Sequence, residues 1–286
     1  MSKPVVLLYG QCQVRALVQA LTALPGFLDT YDLAYGAPAV GIDRPPTRAA
    51  ATPTQEIVPA EDSLRRCEIF FLQVPLAQPE PSYTDRLASQ GARVVRIPFL
   101  YCPVLWPQNC VERREFDRGL FPAPPYKGDR VMLDCMAHGG SEDDLVDEYL
   151  TKDLAVLFKI ERAMTFWQQA MLEIDNRCDV KLAPFILRHF RTNRLFHSFS
   201  HCTSRVLRYL LSEMIRYVWK EGVPDSHLDF VTTNRLNNLE VPVHPSLARA
   251  LGLEWYRDDM RYRHYENGSF TLREYMCRYI RYDHGK

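Results

Sequence analysis

The stretch Val5-Val6-Leu7-Leu8-Tyr9-Gly10-Gln11-Cys12-Gln13 decides the fold. A short apolar run that ends at a glycine reads as a buried strand. Past the turn, Val14, Leu17, Val18 and Leu21 recur at helical spacing until Pro25-Gly26 stops the helix. The motif is strand, turn, helix, with Cys12 in the first helical turn.

Working outward, Gly36 to Pro59 is rich in Pro and Ala and reads as a surface connection. Ile69-Phe70-Phe71-Leu72-Gln73-Val74 ends at Pro75 as a second strand, Leu87 to Gln90 closes a helix at Gly91, and Arg93 to Pro98 forms a third strand. Crossovers this short predict a small parallel sheet. Phe99 to Gly140 holds Pro, Cys and aromatic residues without a clean period, which predicts ordered loops around a pocket. Ser141-Glu142-Asp143-Asp144 reads as a cap for a helical pattern that continues from Leu145 to Met171. A further helix is expected from Thr203 to the Gly222 stop, another from Leu247 to Leu251 with Ser246 as its cap, and an amphipathic one from Phe270 to Ile280. The expected organisation is an α/β part with a loop-rich pocket segment over 1–135 and a mainly helical part over 136–286.

The 286 residues, 47% of them hydrophobic, suffice for a sizeable core. Lys plus Arg equal Asp plus Glu at 35 each, so no field of one sign draws the chain to nucleic acid, and any anion must be held locally. No apolar run has the length of a membrane span, and no leader pattern opens the chain. The eight cysteines are irregularly spaced with no C-x-x-C pair, as expected of reduced thiols in the cytoplasm. No His/Cys/Asp/Glu cluster has metal-ligand spacing, so no metal is expected.

At a helix N-terminus the backbone N–H groups and the helix dipole favour a thiolate, the reactive form of cysteine. The same amides suit an oxyanion or a phosphate. Gly10 is expected to let a ligand approach the backbone, and Gln11 and Gln13 to offer it amide groups. A nucleophilic Cys12 needs a base, and two histidines on turns qualify: His201, ahead of a helix start, and His244 between Pro242 and Pro245. His138 is a weaker third choice, His189 and His197 are read as interior or surface groups, and His284 as solvent-facing. Arg188, Arg191, Arg194, Arg205 and Arg208 cluster around His201 in sequence as a candidate anion site, with Arg15 and Lys127 as further cations.

Leu7-Leu8-Tyr9-Gly10-Gln11-Cys12-Gln13 resembles the Gly-Asn-Cys-Gln opening of the coenzyme A-binding O-acetyltransferases of capsular polysaccharide biosynthesis. Val94 to Pro98 with Cys102-Pro103 and Trp106-Pro107, then Gly140-Ser141, then Leu195-Phe196-His197-Ser198-Phe199-Ser200-His201-Cys202-Thr203 are similar to that family's later landmarks in the same order. Gln11 stands where the family has Asn, and Ser200 and Cys202 replace the Asn and Pro beside the histidine. The resemblance implies a predominantly α-helical, cradle-like fold enclosing a small α/β subdomain. It also implies transfer of an acetyl group from acetyl-coenzyme A to a sugar hydroxyl of a polysaccharide precursor, and association with other polysaccharide-synthesis enzymes. Catalysis is then expected of Cys12 with His201 or His244. Coenzyme A is expected to meet Gly10, Gln11, Gln13, Arg15, Arg194, Arg205, Tyr101 and Trp106. Two other classes stay open: a Cys-dependent esterase or thioesterase, and a non-catalytic coenzyme A- or sugar-binding accessory protein.

Overall fold

A computed structural model of the protein describes residues 2–38, 57–74, 80–116, 124–233 and 235–283. Most of the Pro- and Ala-rich connection, Pro75 and His284 lie outside them. In chain order the first elements are β1 (Val5–Tyr9), α1 (Cys12–Ala23), α2 (Phe27–Thr30), β2 (Asp32–Gly36), α3 (Glu61–Arg65), β3 (Cys67–Val74), α4 (Thr84–Ser89) and β4 (Arg93–Pro98). There follow β5 (Asn109–Cys110), β6 (Gly128–Asp129), α5 (Arg130–His138), α6 (Glu142–Thr151), α7 (Leu154–Leu157), α8 (Ile160–Asn176), α9 (Ala183–His189), β7 (Phe196–Ser198) and β8 (His201–Cys202). The last are α10 (Ser204–Val218), α11 (Asp225–Thr232), α12 (Pro245–Leu251), β9 (Tyr262–Arg263), β10 (Ser269–Phe270) and α13 (Leu272–Arg281). The chain divides into two compact units, one of residues 1–99, 171–184 and 204–235, the other of residues 100–170, 185–203 and 236–286.

The first unit is built on a four-stranded sheet of order β2-β1-β3-β4, parallel throughout. This small parallel sheet among many helices is the fold class expected from the sequence. Alternation along the strands sends Leu7 and Tyr9 of β1 and Phe70 and Leu72 of β3 to one face, where they pack with Leu64, Tyr83 and Leu87. On the other face Phe71 meets Tyr217 of α10 edge-on at 6.4 Å, and the Arg93 guanidinium sits 4.6 Å from the same ring. The outer edge of β4 is not left open: Arg96 N–H donates to Asp179 Oδ2 at 2.6 Å, and the Asp179 and Val180 N–H groups donate to Arg96 O. β2 is an addition to the three strands read from sequence. Its core stretch Asp32-Leu33-Ala34-Tyr35 is half-buried and short, so it lacks the apolar run that marks β1, β3 and β4.

The second unit combines helices with three two-stranded pairs, β5-β6, β7-β8 and β9-β10. The helical pattern from Leu145 to Met171 is interrupted twice, after Thr151 and after Leu157, and the second break contains Lys159 at φ 48°. Ser141 caps α6 as expected, in a reciprocal box with Asp144, and Thr271 and Glu274 do the same for α13. α5 is a further finding inside the segment read as loops. It starts at Asp129, whose carboxylate accepts the Val131 and Met132 N–H groups at 3.0 Å. Among the described residues no helix is long and apolar enough to cross a membrane.

Candidate functional site

In the first unit the chain runs from β1 through α1 to β2 on one side of β1, then returns to place β3 on the other side. The carboxyl ends of β1 and β3 therefore form a topological switch point, where open α/β sheets present their ligand sites. The Gly10–Gln13 turn sits there. Cys12 is the first residue of α1, partly exposed, and the helix N-terminus has neither a capping side chain nor an acidic residue in its first turn. Exposed Arg15 lies one turn further along. Other thiols are placed differently. Burial pushes Cys67 and Cys135 up to about 11 and Cys178 up to about 12, which removes them as thiolates near neutral pH.

A residue absent from the sequence-derived set organises this turn. Gln73, at the end of β3 and 4% exposed, accepts the Gln11 N–H through Oε1 at 3.2 Å and donates from Nε2 to Gln13 Oε1 at 3.0 Å. Gln13 is fully buried, so its amide holds the turn together and does not face an incoming ligand. A Cβ at Gly10 would lie 2.4 Å from Val14 Cγ2 and 2.7 Å from Gln73 Oε1, so the glycine makes room for the protein's own Gln73. Tyr35 Oη donates to Gly10 O at 3.1 Å. Burial raises the Tyr35 phenol, with the Arg15 charge opposing the shift and Cys12 reinforcing it.

Arg205 lies in the first turn of α10 in the same unit and is exposed, while Arg208 is committed to Asp225 and Asp229, each at 2.9 Å. Arg188 and Arg191 belong to the other unit.

In the second unit β7 and β8 carry the His197–His201 hairpin. Along β7 Phe196 and Ser198 are buried, and His197 between them faces the opposite side. His197 Nδ1 is 2.8 Å from Glu240 Oε1, Arg194 Nη1 is 3.2 Å from Glu240 Oε2, and the Arg263 N–H donates to that same oxygen at 3.0 Å. These contacts hold the Glu240 carboxyl near 2, against the cost of its burial. His201 bonds the Leu236 backbone, its Nδ1 is buried with no partner among the described residues, and burial, with Lys127 and His197 nearby, lowers it to about 4. Tyr101 rests against the hairpin, 5.9 Å from the Phe199 ring, while its carbonyl accepts from Trp167 Nε1. Trp106 Nε1 donates to Pro242 O at 2.9 Å, and the ring lines a cavity of about 20 Å³ with Gln108, Asp129, Tyr149 and Tyr275, room for one water.

His244 is only 1% exposed and both ring nitrogens are engaged. Nε2 donates to Tyr149 O at 3.2 Å, and Nδ1 accepts from Ser246 N–H at 3.2 Å and Ser246 Oγ at 2.8 Å, while Oγ accepts from Leu154 N–H. The cap of α12 is thus His244, where the sequence reading had Ser246. Burial lowers His244 to about 4, and no nitrogen is left for a substrate. His138 ends α5 paired with Glu148 at 3.2 Å.

Against this geometry the comparisons with known proteins decide the family. The family model described as polysaccharide biosynthesis enzyme WcbI matches residues 5–218, spanning the Cys12 turn, the sheet and the His201 hairpin. The chain belongs to the WcbI polysaccharide biosynthesis enzyme family. Among solved structures it is similar to WcbI itself, described as a novel polysaccharide biosynthesis enzyme and as the native protein without a disulfide bond between coenzyme A and one of its cysteines. That likeness has a TM-score of 0.63 at 16% identity and covers 98% of this chain and 90% of the other, and at such identity it is a likeness of fold. No curated protein matches.

Within this WcbI-family chain the signal for Gln73 was present in the sequence, as one amide inside an apolar strand, since a buried polar side chain requires a partner. Glu240 had no such signal. It is brought to His197 and Arg194 by tertiary structure alone.

Proposed function

We propose that the protein transfers an acetyl group from acetyl-coenzyme A to a sugar hydroxyl of a polysaccharide precursor. The observation that carries this reading is the Cys12 turn: a partly exposed thiol at the first position of a twelve-residue helix whose N-terminus no side chain caps, at the switch point of a parallel sheet. Those features fit a thioester bearing phosphates. The first-turn amides and exposed Arg15 suit anionic groups, and the same amides suit the oxyanion that develops on an attacked carbonyl. That the WcbI structure is described with reference to coenzyme A and a cysteine supports the same choice of ligand.

In the proposed reaction the Cys12 sulfur attacks the thioester carbonyl, its carbon–sulfur bond to coenzyme A breaks, and the departing sulfur takes a proton. The acyl group then passes from Cys12 to the sugar oxygen. Tyr35 and Gln73 hold the turn in place. His201, neutral at working pH, offers Nδ1 as a hydrogen-bond acceptor, Tyr101 and Trp106 shape the loop-rich segment, and Arg194 and Arg205 are the remaining candidate cations. His244 is left to its capping role.

Intact-mass spectrometry after brief mixing with acetyl-coenzyme A tests the reading. An acetyl adduct is expected on the wild type and on neither Cys12→Ala nor Cys12→Ser. Turnover by Cys12→Ala at the wild-type rate would overturn covalent catalysis.

A further inference from the structure

We infer that the second unit binds one integral water molecule in the small cavity beside Trp106, where it donates to Gln108 Oε1 and accepts from Tyr275 Oη. The inference concerns residues of this unit alone and is independent of the acyl-transfer reading.

Gln108, Asp129, Tyr149 and Tyr275 line this cavity, and its volume of about 20 Å³ fits one water. Two of the four carry a side-chain atom that is buried without a partner among the described residues, Gln108 Oε1 and Tyr275 Oη. Each residue is only 3% exposed. Leaving a polar atom buried and unpaired is costly, and native folds hold few of them. Two such residues around one water-sized cavity point to a partner that they share.

Neighbouring bonds fix the chemistry of that partner. Gln108 bonds both the Asp129 carboxylate and the Tyr149 hydroxyl. A carboxylate only accepts, and Tyr149 Oη gives its own proton to Asp129 Oδ2 at 2.7 Å, so both face the amino group of the Gln108 amide. Turning the amide over would set its carbonyl against the carboxylate. Oε1 is therefore an acceptor in need of a donor. The carboxylate also takes the Val131 and Met132 N–H groups, and burial raises it only to about 6, so near neutral pH it keeps its charge and repels an anion. Water meets these demands, with an O–H for Gln108 and a lone pair for the Tyr275 hydroxyl. An anion has no proton for Oε1. The water thus joins Tyr275 of α13 to Gln108 and, through that amide, to the carboxylate that caps α5.

Tyr275→Phe in the full chain tests the inference, because the change removes one oxygen and keeps the ring. With the water bound, the hydroxyl makes a net favourable bond, and urea unfolding is expected to show the folding equilibrium constant lowered about 2- to 10-fold. Without it, Phe would relieve an unpaired buried hydroxyl, so a constant that stays level or rises overturns the inference. A crystal structure of the wild type is expected to show a water peak within hydrogen-bond distance of both Gln108 Oε1 and Tyr275 Oη. A cavity without that peak, or a direct bond between the two side chains, overturns it as well. Bromide soaked into the same crystals probes the class of ligand: none is expected in the cavity, and a bromide peak there would refute the requirement for a donor.

Discussion

Replacing Gln73 by Met probes the turn that carries Cys12, because Met keeps the length of the side chain and removes both polar atoms. Gln73 is 4% exposed and Gln13 fully buried, so the change takes from Gln13 Oε1 its Gln73 donor and from the part-buried Gln11 N–H its acceptor. A stranded buried group costs about 1–3 kcal/mol, with the Gln11 amide at the lower end, which gives a loss of about 2–4 kcal/mol. Urea unfolding should show it as a lower midpoint with an unchanged slope. The double variant Gln13→Met, Gln73→Met removes both ends of the buried bond and should cost less than the two single changes together, a coupling of about 1–2 kcal/mol. A Gln73→Met protein within about 0.5 kcal/mol of wild type, or strictly additive single changes, would refute the reasoning.

Gly10→Ala should lower unfolding free energy by about 1–3 kcal/mol, since its methyl would lie 2.4 Å from Val14 Cγ2 and 2.7 Å from Gln73 Oε1, and should alter the rate at which iodoacetamide labels Cys12. His244→Leu removes the α12 cap and the donor to Tyr149 O, so chemical denaturation should report a loss of about 2–4 kcal/mol. His201, His244 and His264 are each lowered from 6.5 to about 4 by burial, so the unfolded chain takes up protons first as pH falls. Their contribution is whole above pH 6.5 and is lost between 6.5 and 4, each by at most about 3 kcal/mol. Asp129, raised from 3.8 to about 6 by burial, works in the opposite sense and returns part of that loss as it protonates. Urea midpoints measured across this range should therefore fall toward acid, and His244→Leu should show a shallower dependence.

What could be read from the sequence follows from which residues carry a periodic signal. β1, β3 and β4 are short apolar runs bounded by Gly or Pro, and α1 and α10 keep apolar residues at helical spacing up to a stop, so both appear where expected. β2 was hidden because an edge strand pairs through its backbone and its side chains are half-exposed. α5 was hidden among Pro, Cys and aromatic residues because its start depends on one capping carboxylate, Asp129, and not on a long apolar stripe. At the candidate site, Cys12 could be found from chemistry and position alone. The roles of Gln13 and Gly10 could not, because both depend on Gln73, sixty residues away from Gln13 along the chain. The contact of His197 with Glu240 could not be read either, since nothing local announces Glu240, and His244 was chosen because a proline-flanked histidine looks the same whether its nitrogens face a substrate or cap a helix.

The claim on which the rest depends is that the Cys12 turn receives the thioester. Calorimetric titration with acetyl-coenzyme A, run on wild type and on Cys12→Phe, tests it most directly, since a bulky ring at this partly exposed position blocks the turn without entering the core. Saturable binding to wild type that is lost in Cys12→Phe is the expected result. No binding to wild type, or equal affinity in the two proteins, would contradict it.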